Sequence, residues 1–142
     1  MSSFTTPLIV SPMPNGHDWK LIKKFTYHIG SKFSRKWINV PAGFITDFAS
    51  IPAIFWFLPA WAKYNKAPII HDWLYYGQYY PREEADWIFY EAMLVDLRNH
   101  KSGKLIAMIE YIAVRIFGRY AWSDKKKRAG KPALVEAPQI KS

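Results

Sequence analysis

The chain contains no cysteine, which removes disulfides and thiolate metal sites from consideration. That absence fits a reducing compartment, although an oxidising one does not demand cysteine. The sequence also lacks a phosphate-cradling glycine-rich loop, a Gly-x-Ser-x-Gly elbow and a recognisable nucleic-acid-binding motif, so neither P-loop chemistry nor elbow-type acyl transfer is expected. Long apolar runs are missing too. Phe48 to Ala62 is uncharged, but Pro52 and Pro59 interrupt it, and a spanning helix needs ~20 apolar residues. The opening MSSFTTPLIVSPMPNG has no basic start and no long apolar core, so it is not expected to act as a signal peptide. Acidic residues are scarce, with 11 Asp and Glu against 20 Lys and Arg, a formal charge of +9.

Apolar side chains are plentiful. Half of the 142 residues are hydrophobic and 18% are aromatic, including seven Trp. A chain of this size and composition folds as one domain and buries about two-thirds of its unfolded surface. So high an aromatic load also suggests that some rings face a partner rather than a core. More than half of the positive surplus sits at the end, where Lys125, Lys126, Lys127, Arg128, Lys131 and Lys141 face only Glu136. Residues 1–122 read as a single α+β domain and 123–142 as a basic, flexible tail. Such a tail contacts nucleic acid, a membrane surface or an acidic partner, or simply keeps the protein soluble, and the last reading is favoured.

Local patterns predict the architecture. PLIV, WKLIKKFTYHI and KWINVPAG are rich in β-formers and are separated by Asn15-Gly16 and Gly30-Ser31, which suit hairpin turns. A small N-terminal antiparallel β meander of about three strands follows, ending at Pro41 and Gly43. Beyond it the pattern predicts a bundle of about four helices. Ser50 with Pro52 starts a short one over 52–58. Ala67-Pro68 starts the next, with Gly77 as its C-cap. Pro81 starts the third, with Glu83 and Glu84 matched to the helix dipole and Ala85, Ile88, Phe89, Ala92, Met93 and Leu97 at helical spacing. The fourth opens at Gly103, carries Leu105, Ile109, Ile112 and Ile116 on one stripe, and stops at Gly118.

The chemistry-bearing residues fall in VPAGFITDFASIP and HDWLYY, the most apolar and aromatic segments of the chain. A polar group there costs roughly 1–3 kcal/mol unless it finds a partner. His71 and Asp72 are the leading pair. A helical His-Asp dipeptide completed by Asp86 on the next helix and by Asp47 would give an imidazole plus carboxylates, a donor set for a divalent metal ion. Such a site would make the protein a metal-dependent hydrolase with Asp47, His71, Asp72 and Asp86 as its catalytic groups and His71, Asp72 and Asp86 as metal ligands. Thr46, Ser50, Tyr75 and Arg82 are the expected supporting contacts.

Each has a plainer role. Thr46, Asp47 and Ser50 can cap turns and helix ends. His71 can bond to Tyr75 one turn on, Asp72 can pair with Arg82 or Arg115, and Arg82 with Asp86 is an ordinary i,i+4 pair. The aromatic segment Ile54 to Tyr64 is rich enough to serve as an interface for another chain.

Four segments, VPAGFITDFASIP, HDWLY, REEADWIFYEAM and YIAVRIFGRYAW, together resemble a phage and prophage family, Domain of Unknown Function 1353, over most of residues 19 to 122. The resemblance implies an N-terminal β part and a helical C-terminal part, and no established activity. The shared motif falls at Pro41, Gly43, Phe44, Thr46, Asp47, Phe48, Ser50, Pro52, His71, Asp72, Tyr75, Arg82, Ala85 and Asp86. Ala53 departs from it, where the family is expected to place a basic residue. A phage setting implies the host cytoplasm during infection or the virion. It adds a second expectation beside the hydrolase: a non-enzymatic neck, tail or connector component that binds other phage proteins or copies of itself.

Overall fold

The computed structural model describes residues 3–4, 6–16, 18–30, 36–46, 66–128 and 139–140. The chain is α+β, with antiparallel strands first and helices after. Two sheets replace the expected three-stranded meander. One has the order β1-β4-β5-β7, from β1 (Ser3–Phe4), β4 (Phe25–His28), β5 (Lys36–Val40) and β7 (Gln139–Ile140). The other has the order β2-β3-β6, from β2 (Val10–Pro12), β3 (Trp19–Leu21) and β6 (Ile45–Thr46). WKLIKKFTYHI is thus two strands, one in each sheet, divided at Ile22 to Lys24.

Both expected turn regions bend the chain. Around Asn15-Gly16, the Asp18 N–H donates to Asn15 Oδ1 at 3.0 Å and the Gly16 N–H to the Met13 carbonyl at 3.1 Å. Gly30 leads out of β4 with φ +81°, a conformation that suits glycine. In the β4–β5 register, Phe25 faces Val40 and Tyr27 faces Ile38. All four are fully buried, which gives the first sheet its apolar inner face by the two-residue alternation of a strand.

Among the described residues there are three helices, not four: α1 (Lys66–Gly77), α2 (Arg82–Asp96) and α3 (Gly103–Arg128). The short helix expected over 52–58 lies outside the described residues. Nine consecutive residues of α1, from Ala67 to Tyr75, are buried, because the helix packs against β5, β6, α2 and α3 together. A helix covered on every side is apolar all round. The polar residues inside it must therefore be satisfied by other elements. Gly77 is the last helical residue, and the left-handed position that follows is Gln78, at φ +53°. Gln78 holds that conformation while its Nε2 donates to the Trp122 carbonyl at 2.8 Å, a tether no glycine could supply.

The apolar stripe expected on α2 is buried throughout: Ala85, Ile88, Phe89, Ala92 and Met93, with Leu97 just beyond the helix. α3 is different. Leu105, Ile109, Ile112 and Ile116 share a stripe as expected, yet that stripe faces outward. The inward positions are Gly103, Ala107, Glu110, Ala113, Val114 and Gly118. Small residues there let α3 approach α1 and α2 closely, so helical spacing is kept while its phase is reversed. Gly118 does not end the helix, which runs on through Lys125 to Arg128. Near the chain end, Gln139–Ile140 pairs with Lys36–Trp37, so this part of the expected tail is strand.

At the α2–α3 corner a Cβ on Gly103 would lie 2.2 Å from the Leu97 carbonyl oxygen, backbone that cannot simply step aside. Gly103→Ala is expected to destabilise the fold by about 1–3 kcal/mol, read as a lowered urea midpoint. An unchanged midpoint would contradict this close approach.

Candidate functional site

Asp86 is fully buried because it shares the inward face of α2 with Ala85 and Phe89. Its carboxylate is the meeting point of three helices. From α1, His71 Nε2 lies 2.9 Å from Oδ1 and the Tyr75 hydroxyl donates to the same oxygen at 2.6 Å. These two residues are one turn apart, so both reach a single acceptor. From α3, Arg115 Nη1 donates to Oδ2 at 2.8 Å. From its own helix, Arg82 Nη1 stands 3.5 Å from Oδ2. Arg82 also donates to the Val114 carbonyl at 3.1 Å and to the Arg115 carbonyl at 3.3 Å.

Burial pushes the Asp86 carboxyl towards protonation, but the hydrogen bond and charge of His71, with hydrogen bonds from Tyr75 and Arg115, hold it below the ordinary value. An ionised carboxylate only accepts, so His71 Nε2 carries a proton and donates it. Burial and the hydrogen bond to Asp86 push the Tyr75 hydroxyl well up. The imidazole is further held by ring contacts, with centroids 4.1 Å from Tyr75 and 4.4 Å from Phe89. Gly118 completes the arrangement: a Cβ there would come within 2.5 Å of the Tyr75 hydroxyl.

Four of the expected residues, His71, Tyr75, Arg82 and Asp86, therefore converge. Asp72 is buried too, but it is turned about 100° from His71 around the helix axis. The trio His71, Asp72 and Asp86 is not gathered as metal ligands, and no group of three or more His, Asp or Glu among the described residues could hold a metal ion. The physical reason lies at Asp86, where tyrosine, imidazole and guanidinium donors occupy both oxygens. Thr46 is buried on β6, opposite Trp19 of β3. Asp47 and Ser50 lie outside the described residues.

Other carboxylates matter as well. Arg115, by sequence a candidate partner for Asp72, binds Asp86. Asp96, from the end of α2, accepts the Ala67 N–H at 2.6 Å and so caps the start of α1 from 29 residues away. No local pattern signals such a cap. Glu91 Oε1 joins α2 to the first sheet by accepting the Tyr27 hydroxyl at 2.7 Å and the Gly30 N–H at 3.0 Å. Glu110 is buried in α3 with Oε1 unpartnered among the described residues. Burial, then the nearby Asp96 charge, pushes the Glu110 carboxyl up to about 8. Asp96 itself is pushed up to about 6 by burial.

These features define a small α+β protein organised around a buried, multiply bonded carboxylate. A family model described as "Protein of unknown function (DUF1353)" matches residues 19–114, and the chain belongs to that family. No match was found among curated proteins or solved structures.

The two carboxylates set opposite pH responses. The folded value of Asp86 is lowered, so its stabilisation is present above its unfolded value of 3.8 and lost as pH falls through the lower folded one. Removing the carboxylate in Asp86→Ala leaves the buried His71 and Tyr75 donors and the half-buried Arg115 guanidinium without their acceptor. It is expected to cost about 3–5 kcal/mol, measured by denaturant titration near neutral pH; a loss below 1 kcal/mol would contradict the role of the hub. The folded value of Glu110 is raised, so the folded state holds the proton that the unfolded state releases. Stability from this group falls as pH rises from 4.5 to about 8. Glu110→Gln is expected to flatten that part of the stability profile and to raise the melting temperature at pH 8.

Proposed function

We propose that the protein is a non-enzymatic binding component, of the kind a phage particle or its assembly employs, and that its polar cluster braces the three helices. The observation that carries this reading is the occupancy of Asp86. A catalytic carboxylate needs an oxygen left for a proton, a metal or a substrate. Here His71, Tyr75 and Arg115 are bonded to the two oxygens, with Arg82 adjacent. Removal from water makes such a cluster a rigidifying element when its members are satisfied.

A metal-dependent hydrolase is the second reading, and the Asp86–His71 hydrogen bond supports it. It fixes the protonated nitrogen and orientation of the imidazole, as a carboxylate does for a catalytic histidine.

Equilibrium dialysis against Mg²⁺, Mn²⁺ and Zn²⁺ of protein without a metal-binding tag separates the two. The binding-component reading expects no stoichiometric metal, and His71→Gln to lower the melting temperature without abolishing any turnover. It also expects the chain at a fixed copy number in purified particles or their assembly intermediates. One equivalent of metal lost on Asp72→Ala, or hydrolysis of a phosphoester lost on His71→Gln in a folded variant, would establish the hydrolase instead.

A further inference from the structure

We infer that the outer face of α3 docks on an anionic lipid surface. This goes beyond the binding-component reading and does not depend on it, since a hydrolase could carry the same face. Leu105, Met108, Ile109, Ile112, Ile116 and Tyr120 all project away from the core, with exposures from 41% at Ile109 to 77% at Tyr120. Their spacing puts them on one side of the helix, over roughly 22 Å of its length. Together they present on the order of several hundred Å² of apolar surface, an extent that marks an interaction site on a soluble protein.

Charge selects the occupant. The acidic residues of α3 are Glu110, which is buried on the opposite side, and Asp124, which stands in sequence against the four cations that follow it. Lys104 and Arg119 are exposed beside the apolar stripe, and the helix continues through Lys125, Lys126, Lys127 and Arg128. A second copy would bring these cations against their own kind. Nucleic acid would satisfy the cations but not the aliphatic side chains. An anionic bilayer interface satisfies both, because acyl chains receive Leu, Met and Ile while headgroups receive Lys and Arg. Tyr120, at the boundary between the apolar and basic stretches, has the amphipathic ring suited to that level. The helix would lie on the bilayer, since no helix among the described residues is long and apolar enough to cross a membrane.

Co-sedimentation of the full chain with phosphatidylglycerol-containing vesicles, and with vesicles of phosphatidylcholine alone, tests the inference. Binding is expected on the anionic vesicles, weakened by added salt and weaker on the neutral ones. The double change Ile112→Glu with Ile116→Glu alters only exposed positions. It is expected to reduce the partition coefficient at least about tenfold with an unchanged circular dichroism spectrum. Ile22→Glu, exposed elsewhere on the surface, is expected to bind as before. Absence of binding by the folded protein would overturn the inference, and so would equal binding by the double variant. Sedimentation as a dimer that the double variant dissociates would assign the face to a second copy instead.

Discussion

The carboxylate of Asp86 holds the helical half of this protein in register. It is one ion, fully buried, reached by α1 through His71 and Tyr75 and by α3 through Arg115. Taking a carboxylate out of water is unfavourable by several kcal/mol unless charge and hydrogen bonds replace its hydration. Here they do, and the replacement is specific to one arrangement of the helices. Sliding α3 by a turn would separate Arg115 from Asp86, and the Gly118 contact with the Tyr75 hydroxyl would be lost with it. Apolar packing alone tolerates such slips better than a charged contact does.

The same constraint accounts for the composition of α3. Its inward side admits Tyr75 and Arg82 at Gly118 and the Leu97 backbone at Gly103, positions where an amphipathic helix usually carries larger residues. The large aliphatic residues are then left on the outside. That packing requirement accounts for the close approach in the hub. That requirement does not explain why the outer positions are apolar rather than charged, which is why the outer face calls for an occupant of its own.

The first sheet is tied to this assembly by polar contacts as well as by its apolar face. Glu91 reaches from α2 to Tyr27 and Gly30, and Lys36 pairs with Glu84 at 3.4 Å in a solvent-exposed contact of small energetic weight. The half-buried Glu91 bond to Tyr27 matters more, since it ties the hairpin to the helix that bears Asp86. Asp96 does the equivalent at the other end of α2, capping α1. One helix thus carries Asp86, bound to α1 and α3, Glu91, bound to the first sheet, and Asp96, bound to the start of α1.

Much of this was legible in the residues themselves. Hairpin turns, the α2 core stripe and the helix starts near Ala67 and Pro81 follow from spacing and from turn and cap chemistry, which act over a few residues. The sequence also marked His71, Tyr75, Arg82 and Asp86, because polar groups in apolar segments need partners. What it could not settle was which partner each one takes. Arg115 on Asp86, Asp96 on the Ala67 N–H and Glu110 beside Asp96 join positions far apart in the chain, and no local rule connects them. Nor could spacing fix the phase of α3: Leu105, Ile109, Ile112 and Ile116 form a stripe wherever the helix is turned. Only the tertiary structure decided that the small residues face inward, because Tyr75 and Arg82 pack against Gly118 and the Leu97 backbone against Gly103.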